Sequence, residues 1–134
     1  MTERSLRYLS DEWLAAYASA GAELPAVDGV DVSIQYEVSG APDGKVRWYE
    51  RIEAGVITEA AAGKTADADI AVTWKVDEAL RLLRGEIGVE ASFMEGGSKV
   101  EGDHVTWLVG MRPLRRSDAY QAFRQAMADL TESA

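Results

Sequence analysis

The sequence contains no cysteine and only one histidine among its 134 residues. Without cysteine the chain has no disulfide framework, no thiol nucleophile and no cysteine-based zinc site. The single histidine, His104, excludes paired-histidine metal motifs. The glycine pair Gly96-Gly97 lacks the downstream Lys-[Ser/Thr] of a phosphate loop, and no G-x-G-x-x-G motif follows a strand, so nucleotide sites of those kinds are unsupported. We therefore expect neither a bound metal nor a cofactor.

Positive charge and long apolar runs are also scarce. The chain has 14 basic and 23 acidic side chains, a formal net charge of -9, which opposes binding to nucleic acid or to an anionic lipid surface. No apolar run is long enough to span a bilayer, and the N-terminus is too polar for a secretory signal. We expect an acidic, cytoplasmic single domain over 1–134, without a nucleic-acid partner or a stable membrane anchor, as a monomer or weak homodimer.

Large side chains, in contrast, are plentiful. The sequence holds four tryptophans, five tyrosines, two phenylalanines and four methionines. They can fill an ordinary core, or they can line an apolar cavity for a small molecule. Periodicity alone does not separate these two outcomes.

One helix followed by strands is predicted for the first half of the chain. Ser10 as N-cap, acidic residues in the first turn and Gly21 as a stop predict a helix over 11–20. Turn residues at 40–44 predict a hairpin loop, and a weak strand is expected at 55–59. Alternation predicts inward positions at Val32, Ile34, Tyr36 and Val38, at Val46, Trp48, Glu50 and Ile52, and at Ile70, Val72 and Trp74. These elements indicate an α+β domain whose strands form a meander.

Helical patterns dominate the second half. Asp77 is expected to cap a helix that ends at Gly85, and a short helix is predicted over Val89–Met94. The segment 104–111 is ambiguous, because its β-branched residues favour a strand while its apolar spacing also fits a helix. An amphipathic helix is predicted over 117–131.

Few side chains indicate catalysis. His104 follows Asp103, but adjacent residues rarely face one another, so an exposed loop histidine is the better interpretation. Asp67 and Asp69 lie two apart at a strand entrance, where plain solvation explains them better than a paired-carboxylate site. Glu50 shares an inward strand face, yet a buried carboxylate is costly unless it is paired or hydrogen-bonded. The pattern favours a strand-edge residue that reaches water; a place at a cavity mouth is the alternative.

Arg112, Arg115 and Arg116 form the only dense basic cluster in the sequence. Such a cluster can receive an anionic head group, a phosphate or a carboxylate. Arginines before a helix in an acidic protein also serve as intramolecular counter-charges. Both interpretations remain open.

The run FMEGGSKVEGD at 93–103 resembles the signature of the sterol carrier protein type 2 family. That signature pairs a strand opening in Ala-Asp with a helix ending in Gly, and an Ala-Phe-Met-x-Gly-x-x-x-Val-x-Gly-Asp segment follows. In this chain ADAD at 66–69 leads a strand, and Leu80 and Leu83 lie on a helix ended by Gly85. The resemblance implies an about five-stranded, mainly antiparallel sheet covered by helices that enclose an apolar tunnel. It also favours a helical segment 104–111.

The sequence departs from the family pattern at three positions. Ser92 stands where alanine is usual, and Gly97 and Ser98 stand where family members commonly carry Lys or Arg and then an aliphatic residue. The missing apolar side chain at Ser98 would widen or rewet one end of the cavity. The Phe93-Met94 pair matches the family's aromatic-methionine step, whose side chains face the lipid tunnel.

By resemblance, the chain would bind fatty acyl chains, acyl-CoA, sterols or similar lipids without turnover, with the C-terminal helix as a lid. The expected ligand-binding residues are Tyr36, Trp48, Glu50, Trp74, Leu83, Phe93, Met94, Trp107, Met111, Arg115, Phe123 and Met127. One alternative is an enzyme on the same scaffold that acts on a hydrophobic carbonyl or polyketide-like substrate, with His104 or Glu50 as base. Another is an interaction module with a filled core.

Overall fold

One mixed sheet forms the base of the domain in the computed structural model, which describes residues 5–41 and 44–132. Its strands are β1 (Val32–Ala41), β2 (Gly44–Glu53), β3 (Val56–Ala62), β4 (Ile70–Lys75) and β5 (Lys99–Gly102). The spatial order is β3-β2-β1-β4-β5, and every neighbouring pair is antiparallel except β1 with β4. The expected five-stranded, mainly antiparallel sheet is confirmed. The predicted meander is wrong beyond β3.

The crossing from β3 to β4 explains the departure from a meander. After β3 the chain passes over the outer face of the sheet and adds β4 to the free edge of β1. The Gln35 side chain holds this connection on β1: its Nε2 donates to the carbonyl of Gly63 (3.0 Å), and its Oε1 accepts from the backbone N–H of Thr65 (2.8 Å). Such contacts are distant in sequence, so local alternation does not predict them.

Helices cover the other face of the sheet. They are α1 (Asp11–Gly21), α2 (Val76–Leu83), α3 (Val89–Met94), α4 (Arg112–Arg115) and α5 (Asp118–Leu130), with a π-helical turn over Thr106–Gly110 before α4. None of the helices in the described part of the chain is long and apolar enough to cross a membrane.

Side-chain caps begin the first and last helices. Ser10 accepts from the backbone N–H of Trp13 at 3.2 Å, and Ser117 accepts from that of Tyr120 at 3.2 Å. Both contacts satisfy N–H groups that a helix start leaves unpaired. Helix α2 differs from its prediction, because it begins one residue before Asp77, which therefore lies in the first turn and caps nothing.

The ambiguous segment 104–111 is helical. Asp103 accepts from the backbone N–H of Thr106 at 3.1 Å and from its hydroxyl at 2.6 Å, which fixes the start of the segment. Trp107 and Met111, four residues apart, are both buried. The apolar spacing, which fits a helix, was therefore the better predictor of this segment than its β-branched residues, which favour a strand. Of the predicted hairpin loop at 40–44, residues 42 and 43 lie outside the described residues.

The helices pack on the sheet closely enough to require glycine at one point. Helix α1 crosses β3 at Gly21, where a Cβ atom would lie 2.7 Å from the Cβ atom of Ile57. Helix α5 packs against α1 and α2. This packing covers the β3 end of the sheet and leaves space over β1 and β2.

Candidate ligand-binding cleft

A cleft of about 370 Å³ lies between the inner face of the sheet and the helices. Its volume falls in the lower part of the range of about 300–1,000 Å³ that is typical of small-molecule sites. It opens to solvent near Gly85 and Arg116, which are exposed. The closed tunnel implied by the family resemblance is not observed in the described residues. The lining residues are Tyr8, Trp13, Tyr17, Tyr36, Trp48, Glu50, Trp74, Ala79, Leu82, Leu83, Gly85, Ile87, Gly88, Val89, Glu90, Trp107, Met111, Arg112, Arg115, Arg116, Tyr120, Gln121, Phe123 and Arg124.

Tyr36 is the centre of an aromatic wall. Its ring stacks on Trp48 with centroids 4.3 Å apart and on Trp74 with centroids 5.0 Å apart. Trp107 approaches the same ring at 6.4 Å, and Tyr17 meets Trp48 edge-on at 5.2 Å. Strand register explains the central stack, because Tyr36 lies directly opposite Trp48 on β2 and next to β4. These contacts give the cleft a rigid, largely apolar floor.

Glu50 is the one charged side chain of the aromatic floor. It is 3% exposed and lies on β2, which has neighbouring strands on both sides, so the predicted strand-edge position in water is wrong. Its Oε1 accepts from the Tyr17 hydroxyl at 2.7 Å, and its Oε2 accepts from the Tyr36 hydroxyl. The cavity-mouth alternative is close to what the structure shows, since Glu50 lines the cleft.

Burial raises the pKa of Glu50, although the hydrogen bonds from Tyr36 and Tyr17 and the charge of Arg115 partly offset that effect. The pKa values of the neighbouring tyrosines are raised as well. Burial, followed by the negative charge of Glu50, raises the pKa of Tyr17 and Tyr36 well above the ordinary value and that of Tyr120 to about 12. The tyrosines therefore stay protonated and can act as hydrogen-bond donors.

The four tryptophans differ in what their indole N–H groups contact. Trp13 donates to the Thr131 hydroxyl at 2.8 Å, and Trp74 donates to the Ser98 hydroxyl at 2.8 Å. The indole nitrogens of Trp48 and Trp107 are buried and have no acceptor among the described residues. Both of these side chains line the cleft.

Arginines form one rim of the cleft. Arg115 lies over the Trp107 ring, 4.3 Å from its centroid, and donates to the Trp107 carbonyl. Burial lowers the pKa of Arg115, which indicates a poorly solvated cation. Arg112 pairs with Glu90 at 2.9 Å, and the Arg116 side chain is exposed. Arg124, which sequence reasoning missed, donates to the Leu83 carbonyl at 2.7 Å. Part of the cluster is therefore structural, and Arg116 is available to a ligand.

The three departures from the family pattern meet at a second buried site, which we call the serine network. It consists of Trp74, Ser98, Ser92 and Glu78. The Ser92 hydroxyl donates to Glu78 Oε2 at 2.6 Å and lies 2.6 Å from the Ser98 hydroxyl, which must then donate to Ser92. Gly97 completes the arrangement, because a Cβ atom there would lie 2.2 Å from Glu78 Oε2. The serines replace apolar packing with a continuous chain of hydrogen bonds.

Most of the residues predicted from the sequence come together at the cleft. Those that line it are Tyr36, Trp48, Glu50, Trp74, Leu83, Trp107, Met111, Arg115 and Phe123. Three do not line it. Met127 is buried in the core, Met94 is 80% exposed, and half-buried Phe93 packs beside His104 with ring centroids 6.3 Å apart. The reason lies in α3, whose fully buried side chain is Ser92, so that the next two residues turn away from the cleft.

Sequence reasoning missed three aromatic side chains that helices contribute to the cleft. Trp13 and Tyr17 lie four residues apart on the inward face of α1, and Tyr120 lies on α5. Their aromatic rings at helical spacing on a core-facing side were the available signal. The other residues considered for catalysis lie outside the cleft: the possible base His104 is exposed, and Asp69 of the carboxylate pair accepts from the backbone N–H of Ser33 at 2.9 Å. No group of three or more histidine or acidic side chains within 5–41 and 44–132 is placed to hold a metal ion.

Comparison with solved structures identifies proteins that share this fold. No family model and no curated protein matches the sequence. A crystal structure of sterol carrier protein 2 matches with a TM-score of 0.69 at 16% identity, covering 93% of this chain and all of that one. A conserved hypothetical protein from Thermus thermophilus matches with a TM-score of 0.60 at 14% identity, covering 98% and 97%. Palmitated SCP2L2 from Aedes aegypti matches with a TM-score of 0.57 at 20% identity, covering 74% and 88%.

These similarities cover between 74% and 98% of the chain but rest on shape, since the sequences are at most 20% identical. The resemblance drawn from the residues at 66–103 is thereby confirmed for the fold. The chain has the α+β fold of sterol carrier protein 2.

Proposed function

We propose that the chain binds an amphipathic, lipid-like ligand in the cleft and carries it without turnover. The observation that supports this most is the pairing of an aromatic floor around Tyr36 with an arginine rim on a single cleft. The apolar part of the ligand would lie against the rings, and an anionic head group would lie near Arg116. The fold adds support, because one of the similar structures is a palmitated protein.

Burial of an apolar chain supplies the driving force. Each CH₂ group removed from water is worth about 0.8 kcal/mol. A cleft of about 370 Å³ favours a single compact chain or ring system over a bulkier lipid. The enzymatic alternative has less support, because His104 is exposed outside the cleft and both carboxylate oxygens of Glu50 already accept tyrosine hydroxyls.

Filling the cleft tests this proposal. Val89 lines the cleft and is half-buried, so Val89→Trp places an indole where the ligand would lie. We expect the dissociation constant for a fluorescent fatty acid to rise about tenfold or more. The matched control is Val105→Trp, because Val105 is 70% exposed and does not line the cleft. Equal affinity in both variants and the wild type, or no lipid bound by any of them, would refute the proposal.

Ligands with and without a charged head group test the arginine rim. Arg116→Ala removes an exposed cation from the rim, whereas Arg51→Ala removes an exposed cation of β2 that does not line the cleft. We expect the Arg116 variant to bind acyl-CoA about threefold more weakly and to leave sterol affinity unchanged. Arg115 is a poorer choice because it also packs on Trp107. Equal effects of the Arg116 and Arg51 variants would argue against a head-group role for the rim.

A further inference from the structure

The cleft carries hydrogen-bond donors that nothing in the described chain satisfies. Within 5–41 and 44–132, the buried side-chain nitrogens and oxygens without a partner are Trp48 Nε1, Trp107 Nε1 and Arg112 Nε. All three belong to residues that line the cleft, and all three are N–H donors. Buried polar groups in native proteins are nearly always paired, so an unpaired set at one place requires a partner from outside the chain.

All four indoles line the cleft, and two of them lack an acceptor among the described residues. The indoles of Trp13 and Trp74 find a threonine and a serine hydroxyl, each at 2.8 Å. Trp48 and Trp107 are both only 3% exposed, yet neither finds an acceptor. Within one cleft, the fold thus provides acceptors for two indoles and leaves the other two without one.

The surroundings of Trp48 decide which acceptor fits. Glu50 lies two residues along the same strand on the same face, so an anionic group beside Trp48 would be repelled. The hydroxyls of Tyr17 and Tyr36 already donate to Glu50. A ligand hydroxyl would bring one more donor to a place with unpaired donors, whereas a carbonyl oxygen brings only lone pairs.

We infer that the ligand carries a neutral carbonyl group, as in a ketone, ester or amide, and that the indole N–H groups of Trp48 and Trp107 bind its oxygen. This inference rests on the proposed function and names the chemical class of its ligand. The Tyr36 ring contacts both indoles, with centroids 4.3 Å from Trp48 and 6.4 Å from Trp107, so both indoles belong to the same aromatic floor of the cleft. The apolar remainder of the ligand lies along the aromatic wall.

A pair of matched ligands tests the inference. A long-chain methyl ketone and the 2-methyl-1-alkene of equal length differ by one C=O in place of C=CH₂. We expect wild-type protein to bind the ketone about tenfold more tightly than the alkene, and the 2-alkanol to bind less tightly than the ketone. The carbonyl stretching band of the bound ketone should move to lower frequency, as hydrogen bonding to the oxygen requires.

Tryptophan variants assign the effect to particular N–H groups. Trp48→Phe and Trp107→Phe keep an aromatic ring but remove the donor, so the ketone-to-alkene preference should fall toward one in each. Trp13→Phe is a comparison within the same cleft, because Thr131 already accepts its N–H; we expect it to change the affinities for ketone and alkene by the same factor and so to keep their wild-type ratio. Equal binding of ketone and alkene by the wild type would overturn the inference, as ordered water would then satisfy the indoles, and would leave the proposed function intact. Failure to bind either compound would overturn both.

Discussion

Two glutamates that accept hydrogen bonds from hydroxyl groups, the half-buried Glu78 and the buried Glu50, have different surroundings in this fold. Glu78 ends the serine network, in which Trp74, Ser98 and Ser92 donate one after another and Arg81 pairs with the carboxylate at 2.9 Å. Glu50 also accepts two hydroxyl donors, but two indole N–H groups in the same cleft lack acceptors. The donors of the serine network all have acceptors without a ligand, whereas two donors in the cleft that contains Glu50 have none among the described residues.

The difference separates a structural polar site from a binding site. A satisfied network in a dry interior stiffens one packing arrangement. Unpaired donors cost stability unless a ligand or water supplies acceptors. Buried polarity alone therefore does not mark the functional site; the lack of internal partners does.

The largest effect is expected from the charge on Glu50. Because burial raises its folded-state pKa, its contribution to stability is full below the ordinary value near 4.5 and is lost as pH rises through the raised pKa. The free energy of unfolding of wild type relative to Glu50→Gln should therefore decline over that window, by up to about 1.4 kcal/mol for each pH unit. Denaturant unfolding at several pH values measures the decline.

Glu53→Gln is the matched control for this measurement, since it removes a carboxylate from the exposed side of the same strand. A stability difference between wild type and Glu50→Gln that stays constant with pH would contradict a desolvated Glu50.

Breaking the hydrogen bonds of the serine network should lower the free energy of unfolding by nearly as much. Ser92 is 0% exposed, so Ser92→Ala leaves the Ser98 hydroxyl without its partner and removes the donor to Glu78. We expect a loss of about 1–3 kcal/mol in the free energy of unfolding. The double variant Ser92→Ala/Ser98→Ala should cost less than the sum of the single variants, because the two hydroxyls depend on one another. Strict additivity would count against a linked network.

Crowding the end of that network should have a smaller effect. Gly97→Ala places a Cβ atom against the Glu78 carboxylate and should lower the free energy of unfolding by about 1–2 kcal/mol. Gly88→Ala is the control, because a Cβ atom there meets nothing within 4 Å. Thermal or denaturant unfolding of both variants compares them, and equal stability would show that Glu78 moves aside freely.

The smallest effect compares two indoles directly. Trp74→Phe breaks the bond to Ser98, whereas Trp48→Phe removes an N–H that has no partner. Both lose similar ring volume, so Trp74→Phe should cost about 1 kcal/mol more in unfolding free energy. An equal or larger cost for Trp48→Phe would mean that its N–H is satisfied in the unliganded protein.

Local patterns predicted much of the fold and only part of the site. Ser10 and Ser117 marked helix starts, and alternation turned Trp48 and Glu50 inward, because these signals operate within a few residues. The position of β4 depends on long-range contacts at Gln35, which no local pattern reveals.

The site shows the same limit. The alternation in β2 predicted that Glu50 lies on the inner face of the sheet. It did not predict the hydrogen bond from the Tyr17 hydroxyl, because Tyr17 lies on a helix and is 33 residues away in the sequence. The aromatic-methionine step at Phe93 and Met94 was expected to face the ligand, yet the buried position of Ser92 turns both aside. Side-chain partners across elements, rather than residue types, separate the binding site from the core.

The most direct test is the response of the four indole N–H signals to ligand in a two-dimensional ¹H–¹⁵N spectrum, assigned with single Trp→Phe variants. On titration with a long-chain methyl ketone, we expect large hydrogen-bond shifts for Trp48 and Trp107 and smaller shifts for Trp13 and Trp74, whose N–H groups stay bound to Thr131 and Ser98. Equal shifts of all four signals, or none, would contradict hydrogen bonding of the ligand to Trp48 and Trp107.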